Sequence, residues 1–342
     1  MTALAERMAR HGFVDRPCPN VAAAAAHTVA IQAQDLGQAR LGVRARAATV
    51  TEDDVTAALA DRAVVRTWLM RNTIHLVAAD DLRFLVREFG PLIRRRFARR
   101  WDELGLTPDL LTRAETAVPG MLAAGPLTRH EVADGLRSRG ITVGGDQAPT
   151  HLMVHLATTG LTCHADGDRF ALTDDWVPHA ADGPRGDDAR AELARRYFRA
   201  FSPATAADFT AWSGLPSGRA IGLIRDELVP VEVNGRRGFR LGAPDRGTGV
   251  RLLSGFDNLL IGYRDRTGLV PDERRGEVYV GGIIRPTIVR DGVVVGRWRL
   301  DRANGRVQLT HFAPPPPALR SAVADEVEDL ARFVGRALSA DT

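Results

Sequence analysis

Three observations on this 342-residue chain predict a mixed α+β fold. A helix, helix, helix, hairpin pattern recurs three times, at intervals of roughly 80 to 90 residues. From about Arg251 the chain turns β-rich, and an amphipathic stretch from about Ala318 to Leu338 closes it. Three helices followed by a two-stranded wing is the winged-helix order. The expectation is therefore three tandem winged-helix modules, a small antiparallel β-barrel and a C-terminal helix, with boundaries at 1–104, 105–186, 187–248 and 249–342.

The elements follow in order. Asn20 opens an Ala-rich helix expected to reach about Gln32, and Thr51 with Asp54 three residues on resembles a capping box with Asp in place of Glu. Strands 64–70 and 73–77 follow as the first wing. In the second repeat, a helix over 108–124 leads to Thr128, which caps a helix whose third residue is Glu131. A third helix covers 149–159, and residues 161–173 alternate around an Asp-Gly turn. In the third repeat, a helix over 189–201 precedes Ser202-Pro203-Ala204-Thr205, which caps 206–212. Gly214 to Ser217 turn into another helix, and a hairpin is expected around Asn234-Gly235. Beyond Arg251, the runs VYVGGIIRPTIV, GVVVGRWRL and RVQLTHF are separated by Asp-Gly and Asn-Gly turns. Pro314 to Pro317 break the chain before the last helix, whose role is packing.

Composition narrows the chemistry. A hydrophobic share of 44% with 26% charged residues is ordinary for a globular chain and argues against extensive disorder. Cys18 and Cys163 are too few for a disulfide framework and fit a reducing compartment. The N-terminal residues lack the apolar core of a signal peptide, and no run is apolar enough to span a membrane. A cytoplasmic protein is expected. All 46 basic residues are Arg. Without Lys there is no Walker A loop, no pyridoxal Schiff base and no side-chain amine to form an imine with a sugar aldehyde. Residues 83–100 hold seven of these arginines (Arg83, Arg87, Arg94, Arg95, Arg96, Arg99, Arg100) against one Glu. They cannot share one helix face, so the segment is either a solvated charged helix or a polyanion-contacting surface.

Gln32 and Gln34 are separated by one residue. Side chains at i and i+2 share a side on extended backbone and diverge on a helix, so convergence requires non-helical backbone there. Two convergent amides can hold one water, an oxygen accepting its proton while an NH2 group donates elsewhere. The same spacing is also that of two solvated glutamines.

At Ile31-Gln32-Ala33-Gln34-Asp35 and Ala39-Arg40-Leu41-Gly42 the sequence resembles the winged-helix DNA glycosylases of the AlkZ-like family, which carry a Gln-x-Gln or Gln-x-Asp motif there. Further matches are RTWLMRNTIHL at 66–76, LSGFDNLL at 253–260 and GGIIRP at 281–286, in the same order and over essentially the whole chain. The resemblance implies tandem winged helices and a β-barrel around duplex DNA. It also implies monofunctional glycosylase activity on alkylated purines and interstrand crosslinks, with Gln32 and Gln34 catalytic and matching the subgroup associated with bulky natural-product adducts. The chain departs from the family at Ala33, where a larger apolar residue is usual. N7 alkylation places positive charge on guanine and makes it a good leaving group. Positioning water then suffices, and hydrolysis needs neither metal nor organic cofactor.

Other residues carry weaker expectations. Arg71, Asn72, Thr73 and His75 lie at the first wing, where contact with DNA competes with a core role for His75. Arg129, Gln147 and Thr150 sit at helix N-termini, the usual phosphate-contacting ends. Arg264, Asp265, Arg266 and Arg285 are further DNA-binding candidates, while Asp257 and Asp301 read as structural. His151 and His155 have metal-helix spacing, but Leu152 breaks the HExxH pattern. The expected partner is double-stranded DNA bound by a monomer near the nucleoid, without membrane. The competing classes are a non-enzymatic winged-helix transcription regulator and a DNA-shape binder that has lost activity.

Overall fold

A computed structural model describes residues 2–245 and 247–341. The chain is mixed α and β and divides into two compact units: residues up to Ala58 together with those from Arg190 onward, and the continuous stretch Leu59–Ala189.

The continuous unit is built on local signals. Strands Val64–Leu69 and Thr73–Ala78 form a hairpin across the turn Met70–Asn72, in which Arg71 and Asn72 both take positive φ. The helix Pro108–Leu122 starts at its Thr107 cap, and Thr128 with Glu131 forms the expected capping box before Arg129–Arg137. Helix Ala148–Thr158 leads into the hairpin Thr162–His164 with Arg169–Leu172. Arg66 pairs with His164, so the two hairpins join into one sheet, which Leu127–Thr128 extends along Arg169–Leu172. The long helix Leu82–Glu103 carries all seven arginines and packs on Ala148–Thr158 and on the first hairpin.

The discontinuous unit contains the expected caps at Asn20, at Thr51 with Asp54, and at Thr205 with Asp208. Gly214 ends the helix Ala206–Ser213 in the left-handed conformation, and the hairpin Leu228–Val233 with Arg236–Leu241 turns at Asn234-Gly235, both at positive φ. The N-terminal helix Ala3–Arg10, unassigned from the pattern, buries Arg7 against the Tyr263 ring at 3.8 Å. The expected barrel is corrected to an open sheet among the described residues. Strands Val250–Leu253, Thr287–Arg290, Val293–Asp301 and Arg306–His311 pair antiparallel in that order. Ser339–Asp341 then adds in parallel beside Arg306–His311, an edge that antiparallel hairpin signals do not foretell. The closing helix Pro317–Val334 packs on Val250–Leu253 and is stopped by Gly335 at φ 72°.

Candidate active site

The Gln-x-Gln segment lies in the discontinuous unit. The helix expected to reach about Gln32 spans only Val21–His27. It stops because the chain leaves helical geometry at Val29, whose φ of 70° is a left-handed value that a β-branched residue rarely adopts. Ile31 and Gln32 are extended, and Asp35 caps the next helix, Leu36–Arg44, by accepting from the Gln38 amide at 3.2 Å. Half-buried Gln32, buried Ala33 and exposed Gln34 alternate as side chains do on extended backbone. The Ala33 methyl is fully enclosed.

Long-range polar contacts hold this segment. The Asn258 amide donates to the Ala30 carbonyl at 2.9 Å, and the Gly255 N–H donates to Gln38 Oε1 at 2.6 Å. A Cβ on Gly42 would stand 3.1 Å from the Ile31 side chain and 3.5 Å from the Ser254 hydroxyl, and one on Gly255 would stand 2.7 Å from the Ile284 carbonyl. Stretches 31–42, 253–260 and 281–286 therefore meet, and at Gly255 the approach of the Ile284 carbonyl leaves no room for a side chain. Behind them, Arg46 clamps Asp257 with two hydrogen bonds of 3.0 and 3.1 Å, both side chains fully buried. Arg44 reaches Glu326 and Asp329 on the last helix, each at 2.7 Å. Asp257 is structural, as its sequence context suggested. Gln38, Arg46 and Asn258 escaped sequence reasoning, because nothing local marks a partner more than 200 positions away. The one available signal was that Asp257 and Asn258 lie in LSGFDNLL. Phe256, between the tethered Gly255 and the clamped Asp257, is half-exposed with φ 59°.

Four DNA-binding candidates of the same unit sit on its surface or just beneath. Arg264 and Arg285 are exposed, and Arg266 lies over the Tyr279 ring at 5.1 Å. Asp265 accepts from the Thr267 N–H at 3.0 Å and the Asn234 amide at 3.3 Å; the Thr267 hydrogen bonds, first among several causes, hold its carboxyl below the usual range. Asp301 accepts from Asn304 within a turn.

The remaining candidates belong to the unit Leu59–Ala189. Arg71, Asn72 and Thr73 are half-buried at the tip of the first hairpin. His75 lies on the second strand of the first hairpin and is completely buried, so its expected contact with DNA is corrected to the competing core role. Its Nδ1 donates to the Thr73 carbonyl at 2.9 Å. Burial, with the charge of Arg71 second, pushes its pKa down to about 3 and keeps the ring neutral. His164 is pushed to about 3 by burial, with the charge of Arg66 second, and packs against both Trp68 and Phe170. Arg129 begins the helix capped by Thr128, and Thr150 is exposed in the first turn of Ala148–Thr158. Gln147 precedes that turn and accepts from Arg100 at 2.7 Å. His155 is engaged with Glu115 at 2.6 Å. Both cysteines are buried, and burial pushes the Cys163 thiol up to about 12. Among the described residues no helix is long and apolar enough to cross a membrane.

Comparison with known proteins bears on this geometry. Residues 25–333 match the DNA glycosylase AlkZ-like family. An interstrand DNA cross-link repair glycosylase of Streptomyces sahachiroi is 29% identical over 96% of this chain and 95% of its own length. The solved structure of the Streptomyces sahachiroi DNA glycosylase AlkZ is 27% identical and superposes with a TM-score of 0.82, covering 98% of this chain and 97% of that one.

Proposed function

Because the chain belongs to the DNA glycosylase AlkZ-like family, we propose that it is a monofunctional DNA glycosylase that hydrolyses the N-glycosidic bond of N7-alkylated or bulky-adduct purines and unhooks interstrand crosslinks. The observation that carries this reading is the tethering of Gln32-Ala33-Gln34 on non-helical backbone, with both amides on side chains that are not sealed in the core. The cross-link repair name of the Streptomyces sahachiroi relative supports the substrate class.

In this reading Gln32 and Gln34 orient one water toward C1′ of the damaged nucleotide. Alkylation at N7 has already made the purine a good leaving group, so the sugar develops oxocarbenium character as the bond to N9 breaks. Water adds to C1′, its proton passes to solvent, and the free purine departs. An amide is a poor base, so its contribution falls toward the low end of the 10²–10⁴-fold typical of positioned proton-transfer groups. With no Lys in the chain, an imine with the opened sugar has no side-chain amine to form on, which supports an abasic site as the end product. Three winged-helix modules, over 1–104, 105–186 and 187–248, and a sheet-and-helix segment over 249–342 are the proposed DNA-embracing frame. Arg71, Asn72, Thr73, Arg129, Gln147, Thr150, Arg264, Asp265, Arg266 and Arg285 are its proposed DNA contacts. His75 is proposed to support the first wing from within.

The test incubates purified protein with 7-methylguanine DNA and with crosslinked DNA and measures free base and abasic sites. Gln32→Ala and Gln34→Ala should each lower release by about 10²-fold while duplex binding is retained. Unchanged release would remove the catalytic assignment, and binding without release by the wild type would return the chain to the non-enzymatic class.

A further inference from the structure

The arginine-rich helix encloses something that the proposed reaction does not use. A cavity of about 420 Å³ lies between the first half of Leu82–Glu103, the end of Ala148–Thr158 and the segment 173–185. A Cβ on Gly90 would collide with the Thr158 carbonyl, so the two helices touch there and leave room beside the contact. Four guanidinium groups line the space, from Arg83, Arg87, Arg94 and Arg185, against two carboxylates, Asp174 and Asp182. The balance is two positive charges.

These groups are braced rather than loose. Arg83 pairs with Asp174 at 3.0 Å, and Arg185 donates to Asp182 at 3.1 Å. Arg87 donates to the carbonyls of Asp182, Gly183 and Pro184, and Arg94 to that of Thr158. Yet the Nε groups of both Arg83 and Arg87 are buried with no partner, and so is the hydroxyl of Thr162, a residue only 1% exposed. A buried donor without a partner gives up its hydration for nothing, so a wall of them calls for an acceptor. The desolvation and mutual repulsion that lower the Arg87 pKa act in the same direction. Guanidinium forks recognise phosphate oxygens through paired hydrogen bonds, and a space of this volume with apolar wall residues such as Leu82, Val86 and Pro91 suits a sugar or base as well.

We propose that this cavity is a binding site for a phosphate ester, gripped by Arg83 and Arg87 with the Thr162 hydroxyl beside them. Two sources present this chemistry, a free nucleoside monophosphate and a phosphodiester of the DNA backbone; the second rests on the DNA-acting reading above. The full-length protein is titrated calorimetrically with inorganic phosphate and with dGMP. Its affinity for undamaged duplex is measured across a salt series. Arg83→Gln combined with Arg87→Gln should weaken dGMP binding at least tenfold if the free ligand is the occupant. If the backbone is the occupant, duplex affinity falls equally on all sequences and the slope of log affinity against log salt flattens by about 0.9 for each lost contact. Thr162→Val, which keeps volume, guards against a folding artefact and should weaken the same ligand several-fold. Phosphate, dGMP and duplex binding all unchanged in both variants would overturn the site. Base release assayed on the same preparations reports on Gln32 and Gln34 separately, so loss of one reading is not mistaken for loss of the other.

Discussion

The two units of the chain are stabilised by contacts of different range. In Leu59–Ala189, turns, capping boxes and hairpins join residues close in sequence, such as Thr128 with Glu131. Around Gln32 and Gln34, the partners come from the far end of the chain: Asn258 for Ala30, Gly255 for Gln38, Asp257 for Arg46, Glu326 for Arg44. Local contacts form early and cheaply, whereas long-range tethers require loop closure over hundreds of residues before they contribute. The candidate catalytic segment thus depends on tethers from more than 200 positions away, whereas contacts within the continuous unit close over shorter separations, as between Arg66 and His164.

Acid should erase this difference, with the largest effect. His75 and His164 in one unit have pKa values near 3, and His11 in the other, fully buried against Tyr263, is also held well below the usual value by burial. A ring whose folded pKa is depressed contributes nothing to pH dependence above about 6.5. Below that, the unfolded chain takes up protons that the native fold refuses, and stability falls down to the folded pKa. Each of the two rings near 3 withdraws up to about 4 kcal/mol between pH 6.5 and 3. Hydrogen exchange should lose protection in both units over that window, and His164→Phe should flatten the loss in its own unit. Protection that survives to pH 4 in either unit would contradict this account.

At constant pH the difference returns. Arg46→Ala leaves Asp257 charged and buried, a defect that costs about 3–5 kcal/mol, and urea unfolding should show it in full. Replacing Arg137, whose pairing with Asp134 at 2.6 Å is solvent-exposed in the other unit, should change stability by less than about 1 kcal/mol. A smaller and more specific effect is expected of Asn258→Ala. It removes the donor to the Ala30 carbonyl, costs about 1–3 kcal/mol, and should lower base release while duplex affinity holds, since it loosens the segment that carries the two amides.

The same distinction of range decides what could be read from the sequence. Thr51 with Asp54, Thr128 with Glu131, Thr205 with Asp208 and the Asn234-Gly235 turn each announce an element through residues three or fewer positions apart, and each is present. The joining of two hairpins through Arg66 and His164 and the parallel strand Ser339–Asp341 depend on distant partners, and the end of the helix at His27 follows a left-handed turn at Val29 that no glycine announces. Gln32 and Gln34 were singled out by their spacing together with resemblance. Gln38, Arg46 and Asn258 were missed because an amide or a guanidinium reads as surface until its partner is placed.

The smallest predicted effect is the one that separates strain from ordinary packing. Val29 and Phe256 both hold left-handed φ, at 70° and 59°, on the two stretches that meet around the Gln motif. Such backbone costs a non-glycine residue about 1–2 kcal/mol, and the surrounding tethers must supply it. At a buried position in regular structure, glycine is worse than alanine by about 0.5–1 kcal/mol, because the unfolded chain gains freedom. At 29 and 256 the order should invert. Alanine loses the side chain and keeps the strain, whereas glycine loses the side chain and releases it, so Val29→Gly should be more stable than Val29→Ala by about 1 kcal/mol, and Phe256→Gly more stable than Phe256→Ala. Paired thermal unfolding of the four variants measures this directly. The usual order at both positions would mean that the segment is not held under strain, and the tethers from Gly255 and Asn258 would then be needed only to pack it.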